Sequence, residues 1–112
     1  MTGAELIVKE RQRQIEEEGW TAEHDDDFVA SELLRASVCY CLDVLVKIGA
    51  QDSIHAEIAE LVDRFWPWSD EWWKPTFDNS IRQLTKAGAL IAAEIDRIQR
   101  QEVKRAIHQN GT

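Results

Sequence analysis

Between Ile81 and Ile98 the large apolar residues fall at steps of three and four. They are Ile81, Leu84, Ile91, Ile95 and Ile98, with Gly88 at the one step that lacks a side chain. Only a helix brings such positions onto one face, and the spacing predicts a seam against other helices. A glycine there costs about 1 kcal/mol against alanine. It predicts a close approach by another helix or by a ligand. The helix is expected to start near Asp78 or Asn79 and to fray from about residue 101.

The rest of the chain reads as helix too. Thr2 and Glu5 have capping-box spacing, and Gly19 suits the position after a helix end, which predicts a first helix from about Thr2 to Glu18. Its apolar stripe is Leu6, Ile7 and Ile15, with Val8 at the margin. Arg11 shares that stripe, which predicts a guanidinium reaching inward. A long second helix is expected from a cap at Asp26 or Asp27 to about Ile48, stopped by Gly49. A shorter third begins near Asp52 or Ser53 and ends at Pro67, because proline disfavours helix in the residue before it. No strand alternation competes. The expected fold is all-α: one domain over 1–112, a compact bundle of about four helices with a Trp-rich loop before the last.

That loop is WPWSDEWWKP, residues 66–75, with four of the five tryptophans. Pro67 and Pro75 restrict its backbone. Indole N–H groups need partners when buried, so some rings belong at a boundary. Three readings stay open: a plug for the bundle, a platform for a flat ligand, and a protein interface. In the first, Trp66, Trp68, Trp72 and Trp73 are core. In the second, they divide between core and pocket, with Lys74 beside them for an anion.

Charge is concentrated in one place. Glu16, Glu17, Glu18, Glu23, Asp25, Asp26, Asp27 and Glu32 run without an intervening Lys or Arg, and they equal the net charge of −8. General binding to nucleic-acid backbone, which rests on Lys and Arg, is therefore not expected. No apolar run is long enough for a membrane span, and the opening stretch turns charged too early for a secretory signal. Cytoplasm is the expected location. Cys39 and Cys41 point to opposite sides of a helix and read as small buried hydrophobes.

Within 10–26, Arg13, Gln14 and Glu17 share a helix face, and Trp20, His24 and Asp25 follow in a turn. Guanidinium, amide, indole, imidazole and carboxylate together suit a polar pocket. The plainer reading is a solvated acidic face with capping aspartates. Asp25, Asp27 and Glu32, with His24, are candidate ligands for magnesium or manganese. On the last helix Arg82 and Lys86 form a like-charge pair four residues apart. An anionic partner would relieve it: the acidic segment 16–27, or a phosphate.

The motifs E-R-x-R-Q-I-x-x-E-G-W-T-x-E-H-D-D, W-P-W-x-x-x-W-W-K-P and I-R-x-L-x-K-A-G-A-L-I-A-A-E-I-D-R resemble a family of small proteins of tailed phages and prophages, over about residues 9–100. The resemblance implies an accessory protein acting in the cytoplasm of a bacterial host, of a kind that counters host defence or adjusts nucleotide metabolism. The chain also resembles the all-α nucleoside triphosphate pyrophosphohydrolases, which hold magnesium with E-x-x-E and E-x-x-D pairs. Glu57 and Glu60 match the first. Glu94 and Asp96 are E-x-D, and two residues apart on a helix they point to opposite sides.

Three functions follow as expectations. The first is a binding protein for a nucleotide-like small molecule that sequesters a host immune signal, with no cofactor. Its site would comprise Arg13, Gln14, Trp20, His24, Asp25, Trp66, Trp68, Trp73, Lys74, Arg82 and Lys86. The second is a magnesium- or manganese-dependent nucleotide hydrolase. The third is an acidic inhibitor of a host defence or nucleic-acid-binding protein. The seam on the last helix is compatible with a homo-oligomer.

Overall fold

The computed structural model describes residues 1–28, 31–47, 54–76 and 78–111. The described chain is all-α. Helix α1 spans Gly3–Glu18, α2 Ala22–Asp26, α3 Glu32–Lys47, α4 His55–Phe65 and α5 Ser80–Gly111, with a 3-10 turn at Asp70–Trp72 before α5. No described helix is long and apolar enough to cross a membrane.

The first helix starts and stops as its sequence predicts. Thr2 N–H donates to Glu5 Oε1 at 3.0 Å and Glu5 N–H donates to Thr2 Oγ1 at 3.2 Å, a complete capping box. Gly19 adopts φ 73°, and Gly19 and Trp20 both return their N–H groups to the Gln14 carbonyl. That left-handed turn sends the chain straight into α2.

The long second helix starts later than expected, at Glu32, and a short helix precedes it. Thr21 caps α2, its Oγ1 accepting from His24 N–H at 3.3 Å. Ser31 takes φ 64° before α3 begins. Asp26 and Asp27 therefore sit at the end of α2 and do not cap α3. The physical reason is that Thr21 offers an earlier cap, and a left-handed residue cannot continue a helix. The expected end at Ile48–Gly49 and the start at Asp52–Ser53 lie outside the described residues. Trp66, just before Pro67, leaves the helical conformation and ends α4.

The seam on α5 is the larger correction. Ile81, Leu84, Ile91, Ile95 and Ile98 are all exposed. The face that packs inward carries Gln83, Thr85, Ala87, Ala89, Leu90, Ala93 and Glu94. Small residues let α3 and α1 come close, and α3 makes the most extensive helix contact with α5. Gly88 meets the expectation of close approach: a Cβ there would stand 2.5 Å from Ile7 Cδ1. Past residue 101, where fraying was expected, α5 runs on to Gly111.

On α1 the expected apolar stripe is likewise displaced. Its buried residues are Glu10 and Gln14, while Val8 and Ile15 are exposed. The core proper is small: Leu33, Ala36 and Tyr40 of α3 against Ala87, Leu90 and Ala93 of α5. Trp20, Phe28, Trp66, Trp68 and Trp73 close over it. Cys39 is buried beside α4, its thiol donating to the Val62 carbonyl at 3.6 Å, and burial pushes that thiol up to about 11. It is inert packing, as the sequence predicts.

Candidate functional site: an aromatic and cationic cleft

The site begins with a buried acid. Glu10 faces α5 from the middle of α1. Arg13, one turn on, grips it with two hydrogen bonds of 2.8 and 2.9 Å. Arg82 of α5 reaches the same carboxylate at 2.7 Å. Burial works against the charge on Glu10, but the two guanidinium groups more than offset it. The carboxyl sits below its ordinary 4.5. Arg13 is raised in turn, chiefly by Glu10 and also by Glu18 at 2.9 Å. Gln14 Nε2 lies 3.4 Å from Glu10, which fixes the amide orientation, since the reverse would set oxygen against carboxylate. Its Oε1 is buried with no partner.

The next layer is a relay through α2. Asp25 is fully buried, 0% exposed. Arg11 Nη2 donates to its Oδ2 at 2.9 Å, so the inward-reaching guanidinium is real, and Arg11 also donates to the Trp20 carbonyl. His24 Nδ1 lies 3.0 Å from Asp25 Oδ1. In a neutral ring a carboxylate there favours the proton on Nδ1, with Nε2 as the acceptor. The His24 ring lies parallel to Trp20, with centroids 6.0 Å apart, and edge-on to Phe28 at 5.1 Å.

The Trp loop supplies the opposite wall. Trp66 meets Tyr40, Trp68 and Trp73 at centroid distances of 5.9, 5.4 and 4.9 Å. Its Nε1–H donates to the Ser69 carbonyl, so the indole is satisfied within the loop. Trp73 packs on Tyr40 at 4.9 Å and belongs to the core side. Trp72 is 59% exposed, with Lys74 Nζ 5.7 Å from its ring centroid. The tryptophans thus divide between core and cleft.

Between these walls lies a cleft of about 870 Å³, open to solvent where Ser69, Trp72 and Lys74 form its rim. Its walls carry six aromatic or imidazole rings beyond the rim: Trp20, His24, Phe28, Tyr40, Trp66 and Trp68. Four cations, Arg13, Lys74, Arg82 and Lys86, line it against two carboxylates, Glu10 and Glu18. Lys86 donates to the Lys74 carbonyl and to Thr76 Oγ1, and Nζ lies 5.7 Å from the Tyr40 centroid. Its partners are neutral. Burial, and then the nearby Arg82, depress its pKa.

Nine of the eleven residues expected from sequence line this cleft. Asp25 and Trp73 do not: Asp25 stands behind His24, and Trp73 behind Trp66. Sequence reasoning missed Glu10 and Tyr40. Glu10 had a signal, being three and four residues before Arg13 and Gln14 on the same face. Tyr40 had none, since it falls outside the apolar stripe that spacing assigns to that helix. The expected partnership of Arg82 and Lys86 with 16–27 is not seen. Arg82 takes Glu10, and Lys86 takes loop oxygens.

The candidate metal set does not assemble. Both oxygens of Asp25 are committed to Arg11 and His24, and Asp27 is exposed at the end of α2. Among the described residues no three His, Cys, Asp or Glu gather as metal ligands. Glu57 and Glu60 face solvent on α4. The acidic run is also not one face. Asp25 is buried, Asp26 pairs with Arg100 at 2.8 Å, and Glu17 and Glu18 pair with Arg13.

Fold and site together define a class: a small all-α bundle with a half-enclosed cleft, aromatic on its walls and positive in balance. Compared with protein-family models, curated proteins and solved structures, the chain finds no match.

Proposed function

We propose that the cleft binds a nucleotide-like small molecule, and that the protein acts by holding it. The observation that carries this reading is the pairing of stacked aromatic walls with cations that exceed the carboxylates. Aromatic faces take a base, and the ammonium groups of Lys74 and Lys86, which have no carboxylate partner among the described residues, take a phosphate. The volume of about 870 Å³ lies in the upper part of the usual range for small-molecule sites, about 300–1,000 Å³. Arg82 and Arg13 are held by Glu10 before any ligand arrives, so little side-chain ordering is left for binding to cost. Gln14 Oε1 and His24 Nε2 add acceptors for N–H and hydroxyl groups.

In this reading the protein is an accessory protein of a phage, working in the bacterial cytoplasm. It sequesters a nucleotide signal of the host's defence. Calorimetric titration with mononucleotides, cyclic mononucleotides and cyclic dinucleotides tests it. Saturable binding by at least one, lost in Lys86→Gln, is expected. A folded protein that binds none of them overturns it.

A further inference from the structure

The rings that line the cleft fall into two groups. Trp20, His24, Phe28 and Trp68 close a cycle, with successive centroids 6.0, 5.1, 5.4 and 6.2 Å apart. Tyr40 and Trp66 make the second group, 5.9 Å apart and backed by Trp73 at 4.9 Å from each. The groups meet where Trp66 contacts Trp68, and there the ring planes stand at 90°. A flat ring stacked on one of these indoles is therefore edge-on to the other. One planar group cannot stack on both. At about 870 Å³, the cleft has room beside one stacked base for a second.

The cations gather beside the second group. Lys86 Nζ lies 5.7 Å from the Tyr40 centroid, and the charges of Arg82, Glu10 and Arg13 all act on it. Lys86 also donates to the Lys74 carbonyl at 3.0 Å, which draws the rim of the Trp loop to the same place. Four cations against two carboxylates leave the lining with a balance of two positive charges. Two bridging phosphates, each with one negative charge, match that balance. The first group offers a different polar atom. Asp25, held by Arg11, faces His24 Nδ1 at 3.0 Å, so the neutral imidazole presents Nε2 to an N–H on a base.

We infer that the ligand is a dinucleotide, with one base on each aromatic group and two phosphates at Lys86 and the guanidinium groups of Arg13 and Arg82. This rests on the nucleotide-binding reading and narrows it. Two linkages share the required chemistry: a pyrophosphate joining two nucleosides, and a ring of two phosphodiesters. A second stacked base is worth about 1–3 kcal/mol, or roughly 5- to 150-fold in affinity.

Calorimetric titration of the whole chain tests this with three ligands in an adenine and a guanine series. They are the nucleoside monophosphate, the dinucleoside diphosphate joined by pyrophosphate, and the cyclic dinucleotide. In at least one series a dinucleotide should bind one per chain and roughly tenfold or more tighter than its mononucleotide. Which dinucleotide does so identifies the linkage. Trp68→Ala should remove the advantage, bringing the dinucleotide to the affinity that the wild-type chain has for the mononucleotide. If that variant does not fold, His24→Ala, which removes another ring of the same group, should weaken the dinucleotide roughly fivefold or more. Dinucleotides that bind no tighter than mononucleotides overturn the inference and leave the nucleotide reading standing. So does an advantage that survives both substitutions. Binding by none of these ligands overturns the inference too, and the nucleotide reading falls with it if the other cyclic mononucleotides also fail to bind.

Discussion

Glu10 and Arg82 are 72 residues apart in the chain and 2.7 Å apart in space. That bond ties the first helix to the last at the back of the cleft. It also presents two guanidinium groups on one buried carboxylate. Because the folded carboxyl is held below its ordinary 4.5, it adds stability that is complete above that pH. The contribution is lost as pH falls through the folded value. Asp26, held down chiefly by Arg100, acts in the same direction.

Glu10→Gln should lower stability at pH 7 by about 1–3 kcal/mol, the cost of leaving charge-assisted bonds unmade. Urea unfolding at pH 7 and below pH 4 checks both points. The two proteins should differ at pH 7 and converge in acid. Equal stability at pH 7 would refute the role given to Glu10.

Asp25→Ala should be more damaging, because it strands Arg11 in the interior. Removing one member of a buried ion pair costs about 3–5 kcal/mol. Replacing both, as Arg11→Met with Asp25→Leu, should recover much of that. Thermal melts of the three variants give the comparison. A double variant as unstable as the single would show that the charge pair is not the cause.

The tryptophans should separate by function. Trp73→Ala should cost about 3–5 kcal/mol as a large-to-small change in packed surroundings. Trp72→Ala should leave stability within about 0.5 kcal/mol, as exposed positions do. Trp68→Ala should weaken nucleotide affinity by about 1–3 kcal/mol, the worth of one stacked base. Denaturation curves and calorimetry read the two properties independently.

Lys86→Gln should leave the fold within about 1 kcal/mol, since its partners are neutral oxygens that an amide can also meet. It should weaken binding of a nucleoside monophosphate at least tenfold while binding of the nucleoside is unchanged. Equal losses for both ligands would place the phosphate elsewhere.

Gly88→Ala tests the contact with Ile7. Helix propensity favours alanine by about 1 kcal/mol. The added methyl would meet Ile7 Cγ1 at 2.8 Å as well as its tip, and overpacking of that kind costs about 1–3 kcal/mol. Net destabilisation is expected from a urea midpoint, with part of it recovered by Ile7→Val.

Much of the site was legible because local chemistry states it. Arg13 and Gln14 share a helix face by spacing alone. Thr2, Glu5 and Gly19 bound α1 by their own hydrogen bonds and φ preference. Pro67 ends α4 because a pyrrolidine ring excludes the helical conformation before it. The mixed polar turn and the stiffened Trp loop each carried enough unusual side chains to be singled out, and the fold brings them together.

The tertiary structure alone decided which face of each amphipathic helix turns inward. Periodicity shows that Leu84, Ile91, Ile95 and Ile98 share a face, but it is silent about what lies opposite. Alanines at 87, 89 and 93 let α1 and α3 approach closely, so the small-residue face is buried and the large-residue face is left outside. The same close approach brings Glu10 to Arg82 and sets Tyr40 under the indoles. Those are contacts between residues far apart in the chain, and only the packing of whole helices could choose them.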